Sequence, residues 1–189
     1  MAQPTYILGD GGPVSDEVTR LDFQHFFFFR KLVGDKLLPK HISEHLSTLP
    51  SPSIADVGTG TGAWLADLAR DLSPTSSFYG FDIDASKFAP AENLPSNIKL
   101  ETGNALEPPP EQHHGKYDVV HVRLLKYALK KDDWEIVARN VFALLKPGGW
   151  ILWEETGYPS WNMLPPSKSF ADFMVVDLEF AKKVGRDIT

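Results

Sequence analysis

The stretch from Ile54 to Gly62 constrains the fold of this chain more than any other part of it. It reads IADVGTGTG, so a short apolar strand leads into an acidic residue, Asp56, and then into a glycine-rich turn. Three alternate glycines form that turn: Gly58, Gly60 and Gly62. Glycine has no Cβ, so the turn can adopt positive φ angles and a ligand can rest against its main chain. A helix that starts after the turn would point unpaired N–H groups at that ligand.

The spacing of this turn narrows the class of ligand. The dinucleotide-binding pattern places its last glycine one position later, and the phosphate-binding loop requires Gly-Lys followed by Ser or Thr. Here Gly62 is followed by Ala63 and Trp64, and the turn contains no Lys or Arg. Asp56 at the start of the turn would repel a pyrophosphate. The turn therefore predicts a cationic or neutral ligand.

From residue 53 onward, strand and helix patterns alternate, which indicates βαβ units on a mostly parallel α/β sheet. Strands are expected at residues 53–57, 77–82, 97–102, 117–122 and 149–154. Helices are expected at residues 62–72, 132–145 and 167–184, and a turn or short helix is expected at 85–90. Ahead of the sheet, an extended arm at 1–14 and two helices at 15–33 and 37–49 are expected. We therefore divide the chain into an N-terminal arm and helical roof, 1–52, and an α/β core, 53–189.

Further motifs follow in a fixed order along the chain. They are RLDFQH at 20–25, Gly80-Phe81-Asp82, Gly103-Asn104-Ala105, YDVVHVR at 117–123 and LKPGGW at 145–150. With the glycine turn, this series resembles the class I S-adenosylmethionine-dependent methyltransferases, and in particular the fungal small-molecule methyltransferases of secondary metabolism. The resemblance covers most of the chain. It implies a Rossmann-like sheet, S-adenosylmethionine as cofactor and a small natural product as methyl acceptor.

The resemblance also implies a set of cofactor-binding residues. They are Asp56, Gly58, Gly60, Gly62, Asp82, Asn104, Ala105 and Arg123. Asp82 ends the second strand, where a carboxylate can accept hydrogen bonds from both ribose hydroxyls; the alternative is a helix-capping role, for which Asp84 is the better candidate.

The remaining positions each have a structural alternative. Asn104 stands where the family more often has Asp for the adenine amino group, and it could instead form a turn. Ala105 would offer its backbone N–H to the adenine edge. Asp56 could meet the ammonium group of the cofactor or order the glycine turn.

His121 and Arg123 lie at the end of the fourth strand, which in an open α/β sheet faces the ligand crevice. His121 is the candidate catalytic residue, as the acceptor of a proton from a substrate hydroxyl, or it could hold the methionine part of the cofactor. Arg123 could pair with a carboxylate, including that of the cofactor. Both could instead be structural.

Gln24 and three further histidines have less specific roles. Gln24 and His25 match the roof region of the family and could touch cofactor or substrate, although a surface or core role fits equally well. His113 and His114 lie in a Pro-rich loop without carboxylates at metal-ligand spacing, so we expect them to be solvated and expect no metal site.

Composition disfavours several classes of partner. The net charge of −6 provides no basic face for nucleic acid or an anionic membrane. The chain has no cysteine, which excludes disulfides and thiolate metal sites. The apolar run from Phe26 to Phe29 is flanked by charged residues and is too short to span a bilayer. Without a signal-peptide pattern, the chain is expected to be cytoplasmic.

One feature departs from the family. A class I sheet normally continues into an antiparallel hairpin beside the fifth strand, and no residues remain here to form it. Strand 149–154 would then be an apolar edge, which favours pairing with another chain. We expect either a truncated form or a homo- or hetero-oligomer that covers this edge. The alternative function is a truncated subunit or pseudo-enzyme, repurposed for isomerisation or cyclisation. An NAD-dependent reductase fits less well, because its glycine spacing is missing.

Overall fold

The structure is a computed structural model that describes residues 14–156 and 164–186. These residues contain one five-stranded sheet in the order β3-β2-β1-β4-β5, in which every neighbouring pair is parallel. The strands are β1 (Ser53–Val57), β2 (Ser77–Asp82), β3 (Ile98–Thr102), β4 (Tyr117–Arg123) and β5 (Leu145–Glu154). The predicted mostly parallel α/β sheet is confirmed. Most of the predicted N-terminal arm lies outside the described residues.

Six α-helices surround this sheet within the described ranges. They are α1 (Val14–Phe23), α2 (Arg30–Leu32), α3 (Lys40–Ser47), α4 (Ala63–Leu68), α5 (Asp133–Leu144) and α6 (Lys168–Lys183). A π-helix, Gln24–Phe29, joins α1 to α2, so the predicted first helix is one helical segment with a widened turn in its middle. The turn or short helix predicted at 85–90 is a short 3₁₀ helix, Ala85–Lys87.

The strands β1 and β4 are buried along almost their whole length because both faces of the sheet are covered. On one face, Ile54 and Val119 pack with Trp64 of α4 and with α3. On the other face, Val120 packs with Val137 of α5. The core therefore lies in two layers, one on each side of the sheet.

The order of the strands decides where a ligand can bind. From β1 the chain moves outward through β2 to β3, and then crosses back to place β4 on the other side of β1. Such a reversal opens a crevice at the carboxyl ends of the strands on either side of it. In this chain the glycine turn after β1 and the YDVVHVR motif of β4 meet at that crevice.

The strand β5 lies at one edge of the sheet. It pairs with β4 on one side, and no described residue pairs with its other side. Trp150 and Ile151 on this strand are 38% and 39% exposed. Within 14–156 and 164–186, no helix is both long and apolar enough to cross a membrane.

Candidate cofactor site

A cleft of about 290 Å³ lies at the carboxyl ends of β1, β2 and β4, under α1 and the π-helix. Small-molecule sites have volumes of about 300–1,000 Å³, so the cleft is of the size that a compact ligand needs. The structure brings all the sequence-predicted site residues except Gly62 onto its wall. Those on the wall are Asp56, Gly58, Gly60, Asp82, Asn104, Ala105, His121 and Arg123.

The glycine turn has the positive φ angles that the sequence suggests, and side chains of the protein also pack closely against it. Gly58 and Gly60 have φ angles of 76° and 57°, in the left-handed region that side chains disfavour. A Cβ at Gly58 would lie 2.8 Å from the side chain of Leu125, and one at Gly60 would lie 3.3 Å from Leu21. The turn therefore packs closely against both the β4 loop and the roof.

The amides of this turn do not face the cleft as free donors. The N–H groups of Gly58 and Thr59 donate to the carbonyl of Phe81, at 2.8 and 3.0 Å, and the N–H of Gly60 donates to the Asp82 carboxylate at 2.8 Å. The expectation that unpaired N–H groups would point at the ligand is therefore wrong for these residues. The turn is fastened to the end of β2, and what it offers a ligand is close approach.

Asp82 lies at the end of β2 with its carboxylate on the cleft wall. One oxygen accepts from the N–H of Gly60 and the other accepts from the N–H of Asp84, at 2.8 and 3.0 Å. Burial raises the pKa of Asp82, although these two amides partly oppose that shift. Asp84 caps the next turn by accepting from the N–H of Ser86 at 3.1 Å. Asp82 therefore faces the cleft, whereas Asp84 caps the turn that follows it.

Asp56 is almost completely buried and both of its oxygens are engaged. One oxygen accepts from the Thr59 hydroxyl at 2.7 Å, and the other lies 2.7 Å from Nδ1 of His121. Of the two roles that the sequence leaves open, these contacts support the ordering of the glycine turn.

His121 is 1% exposed and is enclosed by carboxylates and an indole ring. Its Nδ1 contacts Asp56 at 2.7 Å, its Nε2 contacts Glu154 at 3.1 Å, and its ring stacks on Trp64 at 3.8 Å between centroids. Burial opposes a charge on the ring, but the two carboxylates outweigh it and raise the pKa of His121. Because each ring nitrogen donates to a carboxylate, His121 could accept a proton from a substrate only after giving up one of its own, so its catalytic role stays a prediction.

Arg123 is held at the cleft by the roof. Its Nη2 lies 3.1 Å from Nδ1 of His25, and its guanidinium carbon lies 4.7 Å from the ring centre of Phe29. Burial lowers the pKa of Arg123, and the charges of Asp56 and Glu154 oppose that shift. The side chain is the cation that the structure brings nearest to the end of β4.

Asn104 and Ala105 line the cleft while also ordering the loop after β3. The Asn104 carbonyl oxygen accepts from the N–H of Leu106 at 3.0 Å, and its amide donates to Glu107 at 3.2 Å. The carbonyl of Ala105 accepts from Asn140 at 2.9 Å. The turn-forming role that the sequence offers for Asn104 is therefore present, and its contact with a base stays a prediction.

Two functional features escaped the sequence analysis. The first is Asp67, which is 3% exposed and ties the roof to α4 through Arg30 and His25. The sequence signal for this role is an Asp within the otherwise apolar segment AWLADL. The second is Tyr127 on the cleft wall, whose hydroxyl donates to both oxygens of Asp177 at 3.2 Å. Burial, with the Asp177 charge, raises the pKa of Tyr127 to about 12.

His113 corrects one prediction. Its ring is 5% exposed, with Nδ1 2.6 Å from the Tyr117 hydroxyl and Nε2 3.1 Å from Glu101. The expectation of a solvated side chain is wrong, because the Pro-rich loop folds back and packs this ring against aromatic residues of the sheet. His114 is exposed, and its Nε2 lies 2.8 Å from the carbonyl of Pro109.

Comparison with known protein families identifies the family to which the chain belongs. A family model described as a methyltransferase domain matches residues 54–149, just over half of the chain. The chain belongs to the class I methyltransferase family. The predicted family and fold are thereby confirmed, and with the family comes its cofactor, S-adenosylmethionine.

The curated relatives of this chain include fungal proteins. A methyltransferase of a Penicillium species, grgD, is 41% identical over 162 residues, which cover 82% of this chain and 54% of the relative. An N-methyltransferase of Claviceps purpurea, tcpN, is 34% identical over 136 residues, which cover 71% of this chain and 47% of the relative. The chain spans about half the length of these relatives.

Solved structures agree on the fold of this chain. A SAM-dependent methyltransferase from Aquifex aeolicus superposes with a TM-score of 0.56 at 15% identity, covering 88% of each chain. The trans-methyltransferase CalH, solved in complex with SAH, superposes with a TM-score of 0.55 at 25% identity, covering 77% of this chain and 42% of CalH.

Proposed function

We propose that this chain binds S-adenosylmethionine in the cleft and transfers its methyl group to an oxygen, nitrogen or carbon of a small apolar natural product. The observation that carries the proposal is the placement of Asp82 and Arg123 on one cleft wall, on either side of the glycine turn. The fungal relatives, two of which are named as methyltransferases, support the class of reaction.

The side chains on the wall match the chemical groups of this cofactor. Each oxygen of Asp82 holds one amide and keeps a lone pair that can accept from a ribose hydroxyl. Arg123 carries the charge that a carboxylate requires. Ile83, Ala105 and Leu106 supply an apolar surface for an adenine ring.

When bound, S-adenosylmethionine supplies a methyl group that the neighbouring sulfonium already activates. The protein therefore needs mainly to align the acceptor with that group and to exclude water. Phe28 and Phe29 of the roof and Leu125 of the β4 loop line the cleft and can exclude water from it. In this scheme His121 holds Asp56, and through it the glycine turn, in place.

The proposal is tested by calorimetry with S-adenosylhomocysteine, the product form of the cofactor. We expect the folded chain to bind it, and Asp82→Ala to weaken binding by about 10- to 100-fold, because hydrogen bonds to a charged group contribute about 1.5–3 kcal/mol. Asp84→Ala is the matched control, since this neighbouring carboxylate caps a turn, and it should bind normally. A folded wild-type chain that does not bind the compound would end the proposal.

A second candidate is a methyltransferase-like subunit that acts with another chain, including one repurposed for isomerisation or cyclisation. The open side of β5, with Trp150 and Ile151 exposed, favours an oligomer that covers this edge. This candidate predicts cofactor binding without methyl transfer by the isolated chain. Light scattering of the purified protein, with an activity assay on the same sample, separates the two.

A further inference from the structure

His25 lies between the roof and the cleft and touches a charged residue on each side. Its ring is 1% exposed and belongs to the π-helix Gln24–Phe29. The Nδ1 atom lies 3.1 Å from Nη2 of Arg123, and the Nε2 atom lies 3.1 Å from a carboxylate oxygen of Asp67. No other described histidine joins the N-terminal helices to the cleft wall in this way.

These two contacts determine the proton state of His25. A guanidinium group has only N–H donors, so Nδ1 must accept from Arg123 and carries no proton. An ionised carboxylate only accepts, so Nε2 must carry the proton and donate to Asp67. The neutral tautomer with the proton on Nε2 satisfies both neighbours at once.

The same π-helix fixes the guanidinium from a second direction. The ring of Phe29 lies 4.7 Å from the guanidinium carbon of Arg123, while His25 accepts from one of its nitrogens. A π-helix is a rare element that is frequently found at functional sites. Here its wide turn presents both rings to the one arginine that lines the cleft at the end of β4.

The other side of His25 is anchored as well. Asp67 accepts from Nη1 of Arg30 at 2.6 and 2.9 Å, so its carboxylate cannot turn away from the histidine freely. A continuous series of contacts therefore runs from Arg30 through Asp67 and His25 to Arg123. Its last member faces the cleft.

We propose that His25 is a positioning residue, which aims the Arg123 guanidinium at the carboxylate of the amino-acid part of S-adenosylmethionine. The proposal rests on the proposed function. His25 does not touch the cofactor in this scheme and acts only through Arg123. It contributes to binding of the amino-acid part and not to binding of the nucleoside.

A pair of ligands tests this proposal. S-adenosylhomocysteine carries the amino-acid part, whereas 5′-methylthioadenosine keeps the nucleoside and the sulfur but lacks that part. We expect His25→Ala to weaken binding of S-adenosylhomocysteine by about tenfold, because a charge-assisted contact is misaligned, and to leave binding of methylthioadenosine unchanged. His25→Gln, which keeps one acceptor and one donor, should restore most of the loss.

The controls separate this proposal from the proposed function and from a purely structural role. His45→Gln changes an exposed histidine on α3 and should bind both ligands as the wild type does. Equal weakening of both ligands by His25→Ala, or no weakening of either, would overturn the proposal. A wild-type chain that binds neither ligand would instead contradict the proposed function.

Should His25→Ala fail to fold, the wild-type chain provides a second test through pH. The charged groups that face His25 are Asp67 on α4, Arg123 on β4 and Asp56 on β1, and burial together with Arg123 lowers the pKa of His25. As the pH falls through that pKa, affinity for S-adenosylhomocysteine should fall by about tenfold in total, the loss expected of His25→Ala, because protonation of Nδ1 removes the acceptor for Arg123. Methylthioadenosine should not show this fall, and a parallel fall for both ligands would contradict the proposal.

Discussion

Two histidines that line the same cleft hold opposite proton states. His25 accepts from a guanidinium group and is neutral, whereas His121 touches carboxylates with both nitrogens and must donate from both. The pKa shifts follow these neighbours: the pKa of His25 is lowered and the pKa of His121 is raised. Neither ring can change its protonation without breaking a buried contact.

We expect these shifts to give a stability maximum near the ordinary histidine pKa of 6.5. Because the pKa of His121 is raised on folding, its stabilising effect is complete below pH 6.5 and is lost as the pH rises through the folded value. Because the pKa of His25 is lowered, the unfolded chain takes up the proton first, and stability falls as the pH drops below 6.5. Urea unfolding between about pH 5 and pH 9 measures the fall in the free energy of unfolding on both sides of this maximum.

Two variants test which histidine causes each fall in stability. His121→Asn should flatten the alkaline fall in the free energy of unfolding, and His25→Gln should flatten the acid fall. If the free energy of unfolding of His121→Asn still falls as steeply at alkaline pH, another group causes that fall and the proton state assigned to His121 is wrong.

Gly58 offers a prediction about close packing at the turn. Gly58→Ala would place a Cβ 2.8 Å from Leu125 at a φ of 76°, whereas Gly148→Ala has a φ of 81° with no atom within 4 Å. Left-handed strain should lower the free energy of unfolding by about 1–2 kcal/mol in both variants. Only Gly58→Ala should also weaken binding of S-adenosylhomocysteine, as measured by calorimetry. Equal binding by the two variants would show that the Leu125 contact does not shape the cleft.

At the scale of elements, the N-terminal helices are attached to the core by polar contacts as well as by packing. The Asp67 carboxylate of α4 accepts hydrogen bonds from Arg30 and His25. The Asp22 carboxylate of α1 accepts one from the Thr61 hydroxyl at 2.6 Å. Several large apolar side chains of this segment remain exposed, among them Phe23 and Phe27. The position of the roof therefore depends on a few directional contacts.

Asp67→Asn tests this dependence. The amide keeps the shape of the side chain but removes its charge, so the hydrogen bonds to Arg30 weaken by about 1.5–3 kcal/mol for a charged partner. Amide hydrogen exchange in residues 24–32 should then accelerate by about 10- to 100-fold, while β1 and β4 keep their protection. Asp71→Asn changes an exposed carboxylate just after α4 and should exchange like the wild type. Unchanged exchange in Asp67→Asn would contradict the anchoring role.

At the scale of the whole molecule, the open edge of β5 is the feature that most favours association. We expect the purified chain to form an oligomer along this strand, and we expect Ile151→Lys to shift it toward monomer, because a charged residue on an edge blocks strand pairing. Val176→Lys is the control, since Val176 is 63% exposed and belongs to α6 and not to the sheet. Light scattering measures the mass of each variant. A single mass for all three proteins would contradict association through β5.

Features that depend on neighbouring positions could be predicted from the sequence. The strands, the glycine turn and the cap at Asp84 follow from apolar runs, from the missing Cβ of glycine and from short-range hydrogen bonding. The order of the motifs indicated the fold, the family and the cofactor through their resemblance to the family. Four of the motifs stand at or just after the end of a strand, and parallel strands bring their carboxyl ends to one crevice. The division of the chain at residue 52 stays a prediction.

Only the tertiary structure decided what the polar side chains of the site do. The partners of His121 lie 65 and 33 positions away in the chain, and Arg123 meets His25 across 98 positions. Whether a buried histidine is neutral or charged depends on which groups surround it after folding, since burial and neighbouring charges act through space. The sequence therefore determined where the ligand crevice forms, and the packed structure determined the proton states and anchors of the residues that line it.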